Sequence, residues 1–304
     1  MNKLVDMFLC LGLVVASTLI GIIKAILPSG LLKQKNVRNE VVLITGAGSG
    51  IGRELAIRFA QRGAHLVLWD LNSKLNEETK ELLRAKSYEN VKCYTVDVGN
   101  KLEVYETAKQ VGPVDIVISN AGIVHGKKLL NCPDELMEKT VRVNMNALFY
   151  LSKAFVPGMI ERDHGHFVIT ASMAGKVGVA GLADYCASKF GAVGFAEALR
   201  AELRIRSQNL HVTLICPYYI KTGMFDGVDS SSPLLLPLLE PDYAANRIVE
   251  AILTNAVILY MPRFCYWIMA VKELLPTAAA ELIADFVGVN YEMETFRGRN
   301  AQSG

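Results

Sequence analysis

A glycine-rich stretch between an apolar run and an amphipathic segment constrains the fold of this chain more than any other feature. Residues 41–44 predict a short buried strand, residues 45–52 read Thr-Gly-Ala-Gly-Ser-Gly-Ile-Gly, and residues 53–62 have the apolar spacing of a helix. Glycines at this junction allow a tight turn, let the backbone approach a pyrophosphate and direct the helix N-terminus at its charge. The stretch therefore predicts a dinucleotide site that includes Gly46, Ser49, Gly50, Ile51 and Gly52.

The next predicted strand, residues 65–69, is followed by an aspartate that favours one form of the dinucleotide. Asp70 comes about twenty residues after the glycines, where a carboxylate accepts hydrogen bonds from the adenosine-ribose hydroxyls and repels a 2′-phosphate. Ser49 is not a basic residue, which points the same way, whereas the nearby Arg53 points the other way. The sequence therefore predicts NAD rather than NADP.

Apolar strand-like runs alternate with amphipathic segments as far as the run 257–261. This alternation predicts an α/β fold, a Rossmann-type doubly wound parallel sheet of about seven strands. We expect an N-terminal membrane anchor with a basic linker (1–38), the Rossmann domain (39–262) and an apolar C-terminal extension (263–304). A core helix, a dimer contact and a second membrane-contacting surface suit the extension equally well.

Residues after the other predicted strands are expected to complete the cofactor site, because the carboxyl ends of parallel strands meet at one edge of a sheet. Asp97 and Val98 follow the strand predicted at 91–96 and are placed to bracket an adenine ring, although Asp97 also suits a helix N-cap. The further candidates follow the strands predicted at 115–118 and 211–216, and they are Asn120, Ala121, Gly122, the backbone of Ile220 and the hydroxyl of Thr222.

A tyrosine and a lysine one helical turn apart supply a candidate proton acceptor. If the chain is helical from about residue 181, Tyr185 and Lys189 share a face, and an ammonium beside a phenol lowers the pKa of the phenol. Ser172 follows the apolar run 166–171 and is expected at a strand end, where its hydroxyl can bond the same substrate oxygen. The spacing alone also fits a partly buried tyrosine beside a solvated lysine, so the neighbouring motifs decide between the two interpretations.

Two further stretches are predicted to serve this site. Asn144 lies in the apolar middle of a long helix predicted from about Pro133, where an amide is costly unless it is hydrogen-bonded. It either has a purely structural role or holds a water near Lys189. Residues 223–239 are polar, then proline-rich and apolar, and their length predicts a flap over the substrate.

The N-terminal segment from Leu4 to Leu27 is almost continuously apolar and about long enough to cross a bilayer as a helix. A cleaved signal peptide, a transmembrane anchor and a hairpin or interfacial helix in one leaflet all fit it, although the run is long for a signal peptide. Basic residues are more frequent after the run than before it, which favours a cytosolic position for the rest of the chain. We therefore expect a membrane-anchored protein that faces the cytosol.

Composition excludes several kinds of partner. The formal net charge is +2 and charged residues make up 20% of the chain, so no nucleic acid partner is expected. The six cysteines are scattered without a C-x-x-C pair. That distribution predicts reduced thiols rather than a disulfide framework or a metal site.

Taken together, the motifs resemble those of the short-chain dehydrogenase/reductase family over residues 39–262. The stretches that carry the resemblance are Thr45-Gly46-x-x-x-Gly50-x-Gly52, Asn120-Ala121-Gly122, Asn144, Ser172, Tyr185-x-x-x-Lys189 and Pro217. Residues 132–136, 181–190 and 220–225 are similar to a membrane-bound, retinol-oxidising branch of that family. Two features depart from the family pattern: Ser119 replaces an asparagine, and the helix predicted at 104–111 looks about one turn short.

The resemblance implies NAD-dependent oxidation of all-trans-retinol to retinaldehyde at the cytosolic face of the endoplasmic reticulum membrane, or at lipid droplets. It implies that Tyr185 is the catalytic base, that Lys189 lowers its pKa and holds the nicotinamide ribose, that Ser172 orients the substrate oxygen, and that Asn144 supports a proton relay. A hydroxysteroid or another lipid alcohol is the alternative substrate. A homodimer that pairs through the helices around Asn144 and Tyr185 is implied as well. A non-catalytic scaffold of the same fold would lack a catalytic residue, and all four are present.

Overall fold

The computed structural model describes residues 3–26 and 32–298, which belong to two compact units, Met1–Asn36 and Val37–Gly304. The first unit contains helix α1 (Lys3–Ile26), whose large apolar side chains between residues 5 and 15 are exposed. Among the described residues, no helix is long and apolar enough to cross a membrane. The predicted N-terminal helix is therefore confirmed, and the predicted membrane span is not. The end of the predicted anchor at Leu27 and linker residues 28–31 lie outside the described residues.

In the second unit, seven parallel strands form one sheet in the order β3-β2-β1-β4-β5-β6-β7. The strands are β1 (Val41–Thr45), β2 (His65–Asp70), β3 (Val91–Thr95), β4 (Ile116–Ser119), β5 (Gly165–Thr170), β6 (Leu210–Pro217) and β7 (Ile258–Met261). The winding direction reverses beside β1, which pairs with β2 on one side and β4 on the other, so a crevice forms at the carboxyl ends of β1 and β4. The doubly wound parallel sheet predicted from the sequence is confirmed.

Helices cover both faces of this sheet, which explains why its strands are continuous apolar runs. The helices on one face are α2 (Gly50–Ala60), α3 (Ser73–Arg84) and α8 (Pro241–Leu253), and those on the other are α4 (Lys101–Val111), α6 (Ala147–Glu161) and α7 (Ala183–Arg206). Alternate residues of β1 serve the two layers. Ile44 packs in the cluster that contains Phe59 of α2, whereas Leu43 packs in the cluster that contains Trp69 and Phe155.

The long helix predicted from about Pro133 contains a π-helical turn. The chain forms α5 (Asp134–Val141), one π-helical turn (Arg142–Asn146) and then α6. Turns of this kind inside helices often occur at functional positions. Here the turn contains Asn144, and the side chain of that residue bonds the backbone of Ile123 in a separate loop. The long helix predicted from about Pro133 is therefore confirmed, and the π-helical turn within it was not predicted.

The helix before β4 is α4 (Lys101–Val111), and its shortness relative to the family pattern stays a prediction. α4 begins at Lys101, three residues before the predicted start at 104, and ends at Val111 as predicted. Its N-cap is Asn100, whose side-chain oxygen accepts a hydrogen bond from the backbone N–H of Leu102. A cap of this kind satisfies a backbone donor that a helix start otherwise leaves unpaired.

The apolar C-terminal extension belongs to the same compact unit as the sheet. It forms α9 (Phe264–Lys272), α10 (Thr277–Val287) and a short 3₁₀ turn (Glu292–Thr295), and residues 299–304 lie outside the described residues. Cys265 is fully buried in one of the core clusters, while Trp267 on the same helix is 70% exposed. The extension therefore contributes to the core and also presents apolar surface to its surroundings.

Candidate active site

A cavity of about 650 Å³ opens at the carboxyl ends of the strands and brings together most of the residues predicted from the sequence. Those that line it are Gly46, Ser49, Gly50, Ile51, Asp70, Asn120, Ala121, Gly122, Ser172, Tyr185, Lys189, Ile220 and Thr222. Four predicted residues are not among its lining residues: Gly52, Asp97, Val98 and Asn144. Residues that lie up to 176 positions apart in the sequence, from Gly46 to Thr222, thus meet at the switch point of the sheet, where ligands bind in open α/β folds.

The glycine turn after β1 leaves room for backbone rather than side chains. Gly46 and Gly50 have φ angles of +66° and +52°, and a Cβ on Gly46 would lie 2.9 Å from the Cα of Ala121. A Cβ on Gly52 would lie 1.9 Å from the carbonyl oxygen of Gly46, so only glycine lets α2 begin this close to the turn. Gly52 therefore acts by packing α2 against the turn rather than by lining the cavity. The resulting cradle, with a helix N-terminus directed into it, fits a dinucleotide pyrophosphate.

The Asp70 carboxylate is held at the carboxyl end of β2 by two backbone donors. The N–H of Gly48 donates to one oxygen at 2.8 Å, and the N–H of Asn72 donates to the other at 2.8 Å. These bonds fix an anionic group on the cavity wall, where the sequence predicted a ribose contact.

Arg53, the residue that argued for a phosphorylated cofactor, is engaged within the protein. Its Nε donates to the Thr79 hydroxyl at 2.9 Å, and its guanidinium also bonds the Gly48 carbonyl and lies 3.6 Å from the Glu78 carboxylate. Arg53 is not among the residues that line the cavity. The guanidinium thus connects α2 to α3 and the glycine turn.

The loop after β4 is braced against β1 although Ser119 replaces an asparagine. The Thr45 hydroxyl accepts hydrogen bonds from the N–H groups of Asn120 and Ala121, both at 3.0 Å. The Asn120 side chain donates in return to the Thr45 carbonyl at 3.0 Å. Ser119 is the buried last residue of β4 and keeps its pairing with β5. Thr45 and Asn120 therefore hold the loop in place.

Tyr185 and Lys189 lie one turn apart on α7, as predicted, and both are buried. The Lys189 Nζ lies 5.5 Å from the centre of the Tyr185 ring and donates to the carbonyl oxygen of Thr170, at the end of β5, at 2.8 Å. Ser172 follows the same strand, and its hydroxyl accepts from the N–H of Ala174 and contacts the Pro217 carbonyl. The end of β5 thus positions both the lysine and the serine beside the tyrosine.

Burial shifts the pKa values of the two ionisable groups in opposite directions, because removal from water disfavours each charged form. Burial raises the pKa of Tyr185 above its usual value, and a hydrogen bond with Ser172 opposes the increase. Burial lowers the pKa of Lys189 to about 8. Burial therefore dominates the shift of the Tyr185 pKa, and the lowering of that pKa by the Lys189 ammonium stays a prediction.

Asn144 bonds protein groups in two other segments. Its Oδ1 accepts from the N–H of Ile123 at 2.8 Å, and its Nδ2 donates to the Ile123 carbonyl at 2.9 Å and to the Ser188 hydroxyl at 3.1 Å. Ser188 in turn donates to the carbonyl of Tyr185. Asn144 therefore ties the loop after β4 to the turn of α7 that contains the tyrosine, which is the structural role that the sequence left open. A water held near Lys189 stays a prediction.

Asp97 and Val98, the predicted adenine bracket, are not among the lining residues of this cavity, and their contact with adenine stays a prediction. The Asp97 carboxylate accepts from the N–H of Gly99 at 2.8 Å, and Val98 is buried in a core cluster. The alternative N-cap role fails for Asp97, because Asn100 caps α4. Short polar side chains often bond their own backbone two residues on, as Asp97 does here.

Sequence reasoning missed the far wall of the cavity. Tyr218, Tyr219 and Phe225 line it after β6, and Glu292 reaches it from the 3₁₀ turn near the C-terminus. The aromatic residues lie in the stretches predicted to contact the cofactor and to form the flap, so the sequence contained a signal for an aromatic wall there. Glu292 has no sequence signal, because it is far along the chain from every motif and reaches the cavity only through the tertiary fold.

These features define a nucleotide-dependent oxidoreductase of the short-chain type, and sequence comparison agrees. The profile described as short chain dehydrogenase matches residues 40–232. The chain belongs to the short chain dehydrogenase family.

Individual relatives cover almost the whole chain. Epidermal retinol dehydrogenase 2 from Homo sapiens is 50% identical over 295 residues, which span 95% of this chain and 94% of the relative. Short-chain dehydrogenase/reductase family 16C member 6 from Bos taurus is 43% identical, with 97% of this chain and 94% of the relative covered. A short-chain dehydrogenase/reductase from Burkholderia phymatum, solved in complex with NAD, is 25% identical with a TM-score of 0.71, and covers 79% of this chain and 95% of that one.

The opposite pKa shifts predict a pH dependence that differs between the two reaction directions. If Tyr185 is the proton acceptor, as predicted, alcohol oxidation requires its phenolate, a minor species below the raised pKa, so the rate should rise on the order of tenfold per pH unit between about pH 6 and 8. It should level off above about pH 8, where Lys189 loses its proton. The measurement is the initial rate against pH in both directions. Carbonyl reduction, which needs the protonated phenol, is the control and should show no rise. The same increase in both directions would contradict the assignment of Tyr185.

Proposed function

We propose that this protein oxidises all-trans-retinol to all-trans-retinaldehyde with NAD, with Tyr185 as the general base. The observation that carries the proposal is the position of Tyr185, Lys189 and Ser172 on the wall of one cavity that also contains the glycine turn. The substrate class is supported by the relatives, since a retinol dehydrogenase shares half of the residues of this chain over nearly its full length.

The residues of the cavity divide the work. A bound NAD would supply the acceptor for the hydride that leaves the carbinol carbon. Ser172 orients the alcohol oxygen, and Tyr185 removes the hydroxyl proton. Lys189 is held toward the tyrosine by its bond to the Thr170 carbonyl, and its ammonium favours the phenolate as the proton moves. Precise positioning of these groups accounts for much of the rate enhancement in such a site.

The rest of the cavity suits a long apolar alcohol. Leu182, Phe225, Ile268 and Val287 line it, and they come from four different parts of the chain. Apolar walls favour a polyene chain over water because burial of apolar surface is favourable.

We also propose that two copies of the chain pair through α6 and α7, where Phe149 and Phe190 are exposed.

The substrate is tested with membranes that contain the full chain, supplied with all-trans-retinol and NAD. We expect retinaldehyde to form, and we expect Tyr185→Phe to abolish turnover while NAD binding is retained, because the ring stays and only the proton acceptor is lost. Tyr243→Phe is the matched control, since Tyr243 is exposed on α8, and it should keep full activity. A steroid alcohol is run in parallel. If the steroid reacts and retinol does not, the chemistry stands and the retinoid assignment fails.

Cofactor preference is tested at Asp70. The fixed carboxylate should repel the 2′-phosphate of NADP, so the full chain should prefer NAD, and Asp70→Ala should reduce the ratio of kcat/KM for NAD over NADP at least about tenfold. Glu77→Ala is the matched control, because Glu77 is an exposed carboxylate on α3, and it should leave the ratio unchanged. A preference for NADP in the unaltered protein would overturn this part of the proposal.

The proposal also places the protein on the cytosolic face of the endoplasmic reticulum membrane or on lipid droplets. The support is the apolar surface: in the first unit Phe8, Leu9 and Leu13 are exposed on α1, and in the second unit Trp267 and Phe286 are exposed on α9 and α10. Such surface is costly in water and suits contact with lipid.

Alkaline carbonate extraction of membranes tests this placement. We expect the full chain to stay in the membrane pellet. The charged variant Leu9→Lys/Leu13→Lys should be released to a larger extent, because lysines in the apolar stripe of α1 oppose burial in lipid. Substitution of Leu102, an exposed leucine on α4, by lysine is the control and should not change the distribution. Complete release of the unaltered chain would rule out the membrane association.

A further inference from the structure

The segment of the C-terminal extension from residue 287 to 298, called here the tail segment, is fastened to the predicted flap (223–239). The N–H groups of Arg297 and Gly298 donate to the carbonyl of Asp226 at 2.8 and 3.1 Å. The hydroxyls of Ser231 and Ser232 donate to carbonyls of the tail segment at 3.3 and 3.0 Å. The two serine bonds join residues that are 57 and 55 positions apart in the sequence. The flap and the tail segment therefore form one layer beside the cavity.

One buried carboxylate lies at the centre of this layer. Glu292 is only 3% exposed, and its two oxygens accept from the Tyr218 hydroxyl at 2.6 and 2.7 Å. The backbone N–H of Ser231 in the flap donates to the same carboxylate at 3.2 Å. Glu292 thus joins the tail segment, the flap and the residue that follows β6. Burial raises the pKa of Glu292, and these bonds oppose the increase.

The carboxylate is connected to the catalytic tyrosine through a set of aromatic rings in contact. The Tyr218 ring centre is 4.6 Å from that of Tyr219, Tyr219 is 4.9 Å from Phe225, and Phe225 is 5.8 Å from Tyr185. Phe296 of the tail segment packs on Phe225 at 6.3 Å. Movement of the tail segment therefore changes the wall against which a substrate beside Tyr185 must pack.

We propose that Glu292 is a positioning and specificity-determining residue: its bond to Tyr218 clamps the tail segment on the flap and completes the apolar chamber for a long lipophilic alcohol. The substrate class in this statement rests on the proposed function, whereas the clamp itself rests on the contacts above. A buried carboxylate is costly unless it is well bonded, and here the bonds join three separate parts of the chain that surround the substrate. Without the clamp, the wall of the chamber becomes mobile and water enters. Substrate binding is then weaker, while the cofactor site is unchanged.

The first test compares steady-state kinetics of full-length variants. Glu292→Ala and Tyr218→Phe should each raise KM for retinol about tenfold with kcat and NAD affinity unchanged, because each removes the same charge-assisted bond. Their combination should cost no more than either alone, and Glu292→Gln should raise KM less than Glu292→Ala does, because its amide oxygen still accepts from Tyr218 but without the charge. Glu294→Ala removes an exposed carboxylate from the same turn and is the control. Additive effects, or a fall in kcat with KM unchanged, would overturn the clamp.

The second test does not depend on retinol turnover. Hydrogen–deuterium exchange of the NAD-bound protein should become faster in the flap and the tail segment of Tyr218→Phe, and should not change at the glycine turn. This variant retains the ring and the carboxylate, so it is informative even if Glu292→Ala does not fold. Unchanged exchange in both segments would overturn the clamp. If exchange increases as expected but the unaltered protein does not oxidise retinol, the clamp stands and the proposed substrate fails.

Discussion

The closeness of the turn after β1 to the start of α2 is the constraint on which the site depends. A Cβ at Gly52 would lie 1.9 Å from the Gly46 carbonyl oxygen, so the helix can begin above the sheet only if this position has no side chain. The same turn is held from the other side by the bonds between Thr45 and Asn120. Because β1 lies at the switch point of the sheet, these contacts position the cradle, the loop after β4 and the carboxylate of Asp70 around one crevice.

Burial opposes the charged forms of the proposed catalytic pair, Tyr185 and Lys189. Tyr185 and Lys189 are both almost inaccessible, which raises one pKa and lowers the other, so each group is pushed toward its neutral form. Because the raised pKa makes the Tyr185 phenolate scarce, the phenol must be held precisely beside the substrate oxygen. The surrounding hydrogen bonds hold it there. Asn144 and Ser188 fix the turn of α7 that contains the tyrosine, and the end of β5 fixes Lys189 and Ser172. The π-helical turn at Asn144 is part of this arrangement, since it lets one amide bond the backbone of Ile123 twice.

The substrate side of the cavity is built differently from the cofactor side. The cofactor side consists of short turns at strand ends, whereas the substrate side combines the flap, α9, α10 and the tail segment. Glu292 and Tyr218 join these parts through a buried bond within a largely apolar wall. A chamber assembled from distant segments can change its specificity through the C-terminal extension while the sheet and the catalytic residues stay the same.

The sequence by itself determined the parallel sheet, the glycine cradle, Asp70 and the Tyr185–Lys189 pair, because each depends on local patterns: alternation of apolar runs, glycines at a strand–helix junction and a one-turn spacing. The adenine contact of Asp97 and Val98 stays a prediction, since the two residues are not among those that line the cavity. The sequence did not indicate the π-helical turn around Asn144, because that turn comes with a contact to Ile123 in another loop. Only the tertiary structure decided the direction of the Tyr185 pKa shift, since burial is a property of the packed fold. Only the tertiary structure brought Glu292 to the cavity, because no local pattern records which distant segment covers a chamber.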